Sequence, residues 1–323
     1  MLHRFGWPAL GLALAAATQP ASAQGLFDSA SLAAPAPSGE IVSFTPSIGI
    51  LRGKATELVY DPTSGEKLSQ LDWKSNATTV GGRLAVRPLE SVTLRGSLWA
   101  AVSGDGDMTD RDWLYGYFGK DSWSHQSTHP DTRVGKAWQG DISLSYLLLD
   151  SGDMAFSALA GYRHYDIKHR AYGGDYIYSV YGYRDVAGSF DPGVMGIAYR
   201  QVWDTPYLGF GAYFRGDRFN VSTEFYGSPI TFGRDQDYHG LRYTSFNGRF
   251  TPTAMVGANL AVEYQLTPNF SLVGRADYTR YSEAKGNTRI YDAANGAYYR
   301  IPRPSSGADS QTVNLTLGVK GKI

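Results

Sequence analysis

The chain of 323 residues contains no cysteine, and its 30 basic side chains are matched by 30 acidic ones. Without cysteine there is no disulfide framework and no thiol nucleophile, and the redox compartment is left open. Zero net charge removes the basic field that nucleic acid needs, and with it adsorption to an anionic membrane surface by charge alone. Beyond the N-terminus no apolar run approaches about 18 residues, which excludes a helical membrane protein. There is no Gly-x-Ser-x-Gly elbow for a serine nucleophile. The histidines of "HQSTH" (His125 to His129) lack the glutamate of a zinc-protease helix and are followed at once by Pro130, so no metal site and no metal cofactor are expected.

What is abundant is aromatic and small: 23 Tyr, 14 Phe, 7 Trp and 38 Gly. That mixture suits a β-rich protein with aromatic belts at a membrane surface. The N-terminus reads "MLHRFGWPALGLALAAATQPASAQ": Arg4, an apolar run to about Ala17, then Ala21-Ser22-Ala23. This is the pattern of a secretory signal peptide, residues 1–23, with the mature domain spanning 24–323.

Through the mature chain apolar and polar residues alternate with period two. Val92, Leu94, Leu98 and Val102 form one such row, Val256, Leu260 and Val262 another, Phe270, Leu272 and Tyr278 a third, and Val313, Leu315, Leu317 and Val319 a fourth. A soluble sandwich would also alternate, so the connections decide. Short links are expected near Pro88-Leu89, Ser151-Gly152, Gly216-Asp217 and Thr267-Pro268. Between them lie long stretches rich in Gly, Asp, Tyr and Pro, at roughly 104–131, 170–192, 228–245 and 286–309. Short turns at one end and long loops at the other are the signature of an all-β, antiparallel transmembrane β-barrel. Four short turns and two terminal strands predict about ten strands, with apolar faces to lipid, charged faces to the lumen, and an interior narrow enough for side chains to fill.

Function is then expected in the long outer segments. Two groups stand out there. Asp110 and Asp112 are two residues apart, so in extended chain they share a face and their charges repel. In "RDQDYHG", Asp237 can lie beside His239 by the same spacing and orient its ring as a general base.

Several motifs together resemble the omptins, outer-membrane endopeptidases of Gram-negative bacteria: "SQLDWK" (69–74), "DRDW" (110–113), "WSHQSTHPDT" (123–132), "AGY" (160–162) with "GGDYIY" (173–178), "DYH" (237–239) and "KGNTRIYD" (285–292). The resemblance implies a ten-stranded barrel in the outer membrane with its active site facing the cell exterior. It implies that Asp110, Asp112, Asp237 and His239 are catalytic, activating a water with no covalent intermediate. Glu57 and Asp235 align with the acids that bind a basic side chain before the scissile bond, and Ser127 and His129 with a supporting motif of the groove. Substrates would be peptides or proteins with basic residues, cationic antimicrobial peptides among them. Lipopolysaccharide would be a partner and activator. The chain departs from the family at two places. Ser124-His125 replaces the usual Thr-Asp, which should weaken preference for a second basic residue beyond the bond. "AGYRHYD" replaces the usual Glu and Arg of the lipid-gripping wall, leaving Tyr162, Arg163 and Arg200 as candidate lipid contacts. The alternative reading is a non-catalytic barrel acting as an adhesin or host-factor-binding protein.

Overall fold

The computed structural model describes residues 41–114 and 122–322, and the expected signal peptide lies outside them. The strands in chain order are β1 (Val42–Tyr60), β2 (Lys67–Leu89), β3 (Val92–Asp112), β4 (His125–Asp150), β5 (Met154–Tyr172), β6 (Asp175–Tyr178), β7 (Val186–Ser189), β8 (Met195–Arg215), β9 (Phe219–His239), β10 (Thr244–Phe250), β11 (Thr253–Gln265), β12 (Phe270–Asp292) and β13 (Ala297–Lys322). All pairings are antiparallel, and β1 pairs with β13, closing the ring. Strands β10 and β11 are one staircase interrupted at Pro252, which lacks the N–H a ladder needs. The β6–β7 hairpin hangs on the outer end of β4. The ring therefore has the ten strands that the alternation predicts, and among the described residues each of them pairs with a neighbour on both sides.

The four short links fall where expected. In the link between β8 and β9 the Gly216 N–H donates to the Phe219 carbonyl at 2.9 Å. The long outer stretches are a correction in part, because three of them are mostly strand rather than loop, and 170–192 keeps about half its length outside strands. Segment 104–131 carries β3 to Asp112 and resumes in β4 at His125, and segment 286–309 carries β12 to Asp292 and resumes in β13 at Ala297. Above the bilayer both strand faces meet polar surroundings, so the apolar alternation that marks a strand in sequence disappears.

Outward side chains in the lower ring are apolar and uncovered: Leu94, Leu98, Phe210, Phe225, Leu260, Leu315 and Leu317 all stand exposed. A continuous apolar belt of that kind has lipid as its solvent. Inside, the lumen is plugged. Trp203 stacks on Tyr281 at 4.9 Å between ring centres, Tyr281 on Tyr165 at 6.1 Å, and Arg163 braces Asp141, Tyr226 and Thr279 from three other strands. Beneath this layer a cavity of about 260 Å³ is lined by Arg83, Arg95, Arg275, Glu224, Glu263 and Lys320.

Among the register shifts of the ring, one β-bulge in β3 and one in β9 turn the acidic residues above the plug inward. In β3, Ala101 pairs with Thr79 but Gly104 pairs with Ala77, so one extra residue sits between them. In β9, Ser228 and Thr231 face Met255 and Thr253, again one residue more than the partner strand spends. Each extra residue exchanges the two faces of its strand. Even-numbered residues of β3 face lipid below the bulge and the lumen above it; in β9 the odd-numbered residues make the same change.

Candidate functional site

Because of those bulges, Asp110 and Asp112 on β3 and Asp235, Asp237 and His239 on β9 all enter the upper lumen from opposite walls. Strand β1 needs no bulge: Leu51, Ala55 and Glu57 lie on its buried inner face. Reading across the pairing, Glu57 on β1 aligns with Leu71 on β2, Leu71 with Asp110, Asp110 with Ser127 on β4, and Ser127 with Tyr176 on β6. One lateral row thus runs from the pocket acid, past the aspartate pair, to the hairpin.

On the β9 wall, His239 Nε2 lies 2.6 Å from Asp237 Oδ2, the contact that the two-residue spacing predicts. The other ring nitrogen, Nδ1, faces Arg242 Nη2 at 2.6 Å. A guanidinium can only donate, so Nδ1 is the acceptor and Nε2 carries the proton given to Asp237. Arg242 comes from a short 3₁₀ turn (Gly240–Arg242) directly after the strand. Nothing in the sequence singled it out, since it belongs to no motif and no periodic face.

On the β3 wall, Ser69 Oγ donates to Asp110 Oδ1 at 3.3 Å. Burial pushes the Asp110 carboxyl well above the ordinary range, and the neighbouring Asp112 charge pushes further. Asp112 is raised as well, by burial, against the lowering pull of the Ser69 hydroxyl and the charges of His125, Arg242 and His239. The pair therefore retains a proton under conditions where isolated aspartates have lost theirs.

Below them sits an acidic pocket. Glu57 is buried and its carboxyl is raised by that burial and by Asp237, Asp235 and Asp110; its Oε2 has no hydrogen-bond partner. Burial pushes Asp235 up to about 7, although it accepts from the Gly248 N–H at 2.7 Å and the Tyr199 hydroxyl at 3.1 Å. A Cβ on Gly248 would stand 2.3 Å from Asp235 Oδ1, so a side chain there would displace the carboxylate from the Gly248 N–H. Tyr199 and Gly248 were likewise not foreseen from sequence. Ser127 and His129 are buried side by side, Nε2 to Oγ at 3.0 Å, with the His129 ring on Phe190. His125 and His129, four residues apart in a strand, are separated by about 13 Å along it, too far to share one metal ion.

The candidate lipid contacts separate. Tyr162 and Arg200 face outward, Tyr162 on Asp204 at 2.8 Å and Arg200 on Asp166 through two bonds of 2.8 Å. Arg163 is a correction: the alternation of β5 turns it into the lumen as the brace described above, so it belongs to the plug and not to the wall. His164 of "AGYRHYD" lies on this wall with Asp204, and two residues not anticipated complete the outer cluster, Lys136 on Asp166 and Arg234 on Asp204.

A profile of the omptin family matches residues 39–323. The chain belongs to the omptin family. It is 31% identical to the plasminogen activator of Yersinia pestis over 86% of this chain and 89% of that protein. It is 32% identical to the outer membrane protease OmpP of Escherichia coli strain K12, over 87% of this chain and 90% of that one. The crystal structure of the outer membrane protease OmpT from Escherichia coli superposes with a TM-score of 0.84 at 28% identity, covering 88% of this chain and 97% of that one. This omptin is accordingly an outer-membrane β-barrel of the Gram-negative type, and its acidic cluster lies at the end of the barrel remote from the short turns.

Proposed function

We propose that this omptin is an endopeptidase that cleaves beside a basic residue, using Asp237 and His239 to activate water and Asp110 and Asp112 to position it. Family membership supports a protease. The finer reading is carried by one observation: the Asp237–His239 pair shares the upper lumen with the Asp110–Asp112 pair and a buried acid, Glu57, that has an unpartnered oxygen. In this reading His239 Nδ1 takes the proton from water while Asp237 holds Nε2–H and stabilises the imidazolium. Arg242 leaves Nδ1 when substrate enters. The proton shared by Asp110 and Asp112 is donated toward the developing oxyanion, which a fully ionised pair would repel. Glu57 and Asp235 meet the guanidinium or ammonium of the residue before the bond, which relieves the crowding that raised their own proton affinity.

Lipopolysaccharide fits the outer wall as partner and activator. Lys136, Arg200 and Arg234 surround only Asp166 and Asp204 there, leaving cationic excess for phosphate. The experiment is cleavage of an Arg- and Lys-containing peptide by refolded protein, with and without lipopolysaccharide, beside His239→Ala, with products mapped by mass spectrometry. Cuts after Arg or Lys that vanish in the variant, and a rate that rises with the lipid, are expected. A folded protein inert in both lipid conditions would move the function to the binding-barrel alternative.

A further inference from the structure

Beyond the aspartate pair, on the side away from Glu57, the lateral row ends in a run of aromatic rings that neither the proton chemistry nor the acidic pocket uses. His125 lies 5.1 Å from Tyr178, Tyr178 4.6 Å from Tyr176, Tyr176 4.9 Å from Phe190, and Phe190 5.4 Å from His129, centre to centre. The run is assembled by the β6–β7 hairpin, whose register on β4 sets Tyr176 opposite Ser127 and Ile177 opposite Gln126. Gly174, at φ +100°, makes the turn that lets the hairpin dock; a Cβ there would meet the Thr128 carbonyl at 2.1 Å. Within the run only His129 is buried, while His125, Tyr176, Tyr178 and Phe190 are half-buried and keep ring surface to cover.

The register fixes where this shelf stands relative to the chemistry. Glu57 is two strands from Asp110 on one side and Tyr176 is two strands from it on the other. At about 4.8 Å per strand, each is about 10 Å from the aspartate, a distance spanned by a long side chain reaching out from either side of one peptide bond. At its near end the shelf touches the catalytic centre: His125 pairs with Asp112 across the sheet.

We infer that the aromatic shelf of His125, Tyr176, Tyr178 and Phe190 is the subsite for the residue following the scissile bond, and that it selects an aromatic or large aliphatic side chain there. The inference rests on the protease reading above. Ring faces stacked in series offer apolar area and edge-to-face partners but no carboxylate for a second cation.

The test is a peptide series of the form Ala-Ala-Arg-X-Ala-Ala, with X as Phe, Tyr, Leu, Ala, Lys or Asp, each assayed for kcat/KM with the full-length protein refolded in detergent and lipopolysaccharide. Phe and Tyr are expected to exceed Ala by about 3- to 10-fold, the range of an aromatic pair beyond simple burial. Phe190→Ala and Tyr176→Leu should each pull the Phe-to-Ala ratio toward one; because the readout is a ratio within each variant, a general loss of activity cancels. Cleavage after Arg with no aromatic preference, or with Lys or Asp favoured at X, overturns the shelf and leaves the protease intact. Failure to cut any peptide of the series overturns the protease reading and the shelf with it.

Discussion

Five carboxylates, those of Glu57, Asp110, Asp112, Asp235 and Asp237, crowd one end of the lumen with Arg242 as the charge set among them. Crowding of this kind works against the fold. Where burial raises a carboxyl, the unfolded chain loses its proton near pH 4 while the folded chain keeps it, so between those limits rising pH favours unfolding. For Asp235 the upper limit is about 7. The unfolding temperature in detergent is therefore expected to fall as pH rises from 4 through 7, and Asp235→Asn should flatten that slope. Glu57→Gln should raise the unfolding temperature at pH 7, because it removes a buried carboxyl whose ionisation the neighbouring carboxylates oppose, and yet lower kcat/KM for Arg substrates by about 10- to 100-fold, the range for losing a hydrogen bond to a charged group. A variant that loses activity without gaining stability would mean that Glu57 is paired in the free protein. The candidate residues Asp110, Asp112, Asp237 and His239 were legible in sequence because two-residue spacings and family motifs coincide on them, and Glu57 through the family resemblance alone. Arg242, Tyr199 and Gly248 were not, since what each contributes is a contact made only after folding.

The strand is where sequence reading was most nearly misled. Extending the lipid-facing row Leu94, Leu98 and Val102 along β3 sends Asp110 and Asp112 outward, and extending Phe219, Val221 and Phe225 along β9 does the same to Asp237 and His239. One added residue in each strand reverses this. The signals were present, Gly104 and Gly106 in one strand and Pro229 in the other, but glycine or proline in a strand marks an irregularity without saying which way the chain leaves it. Deleting Val102 should restore uninterrupted pairing with β2 and turn Asp110 and Asp112 to the outside. The expected result is a barrel that still shows the heat-dependent gel shift of a folded outer-membrane protein but has lost cleavage. Retained cleavage would mean that the strand re-forms its bulge at a neighbouring residue.

Over the whole molecule, ring closure, strand number and the apolar belt were all readable from alternation and turn spacing, because lipid on one side and lumen on the other impose a strict period of two. The plug was readable only as a size argument; its members, Trp203, Tyr281, Tyr165 and the Arg163 brace, are scattered over three strands. With that layer intact, protein reconstituted in a planar bilayer is expected to show no stable conductance steps, and steps of porin size would contradict a sealed lumen. The walls above the plug carry a further consequence. Most are continuous strands paired on both sides, only the outer end of β13 (297–305) being paired on one, so the groove has little freedom to open around a bulky guest. A polypeptide must then come to it already extended, as a loose tail or a slack surface loop, and which of a target's many peptide bonds is cut becomes a question of local unfolding in the target as much as of its sequence.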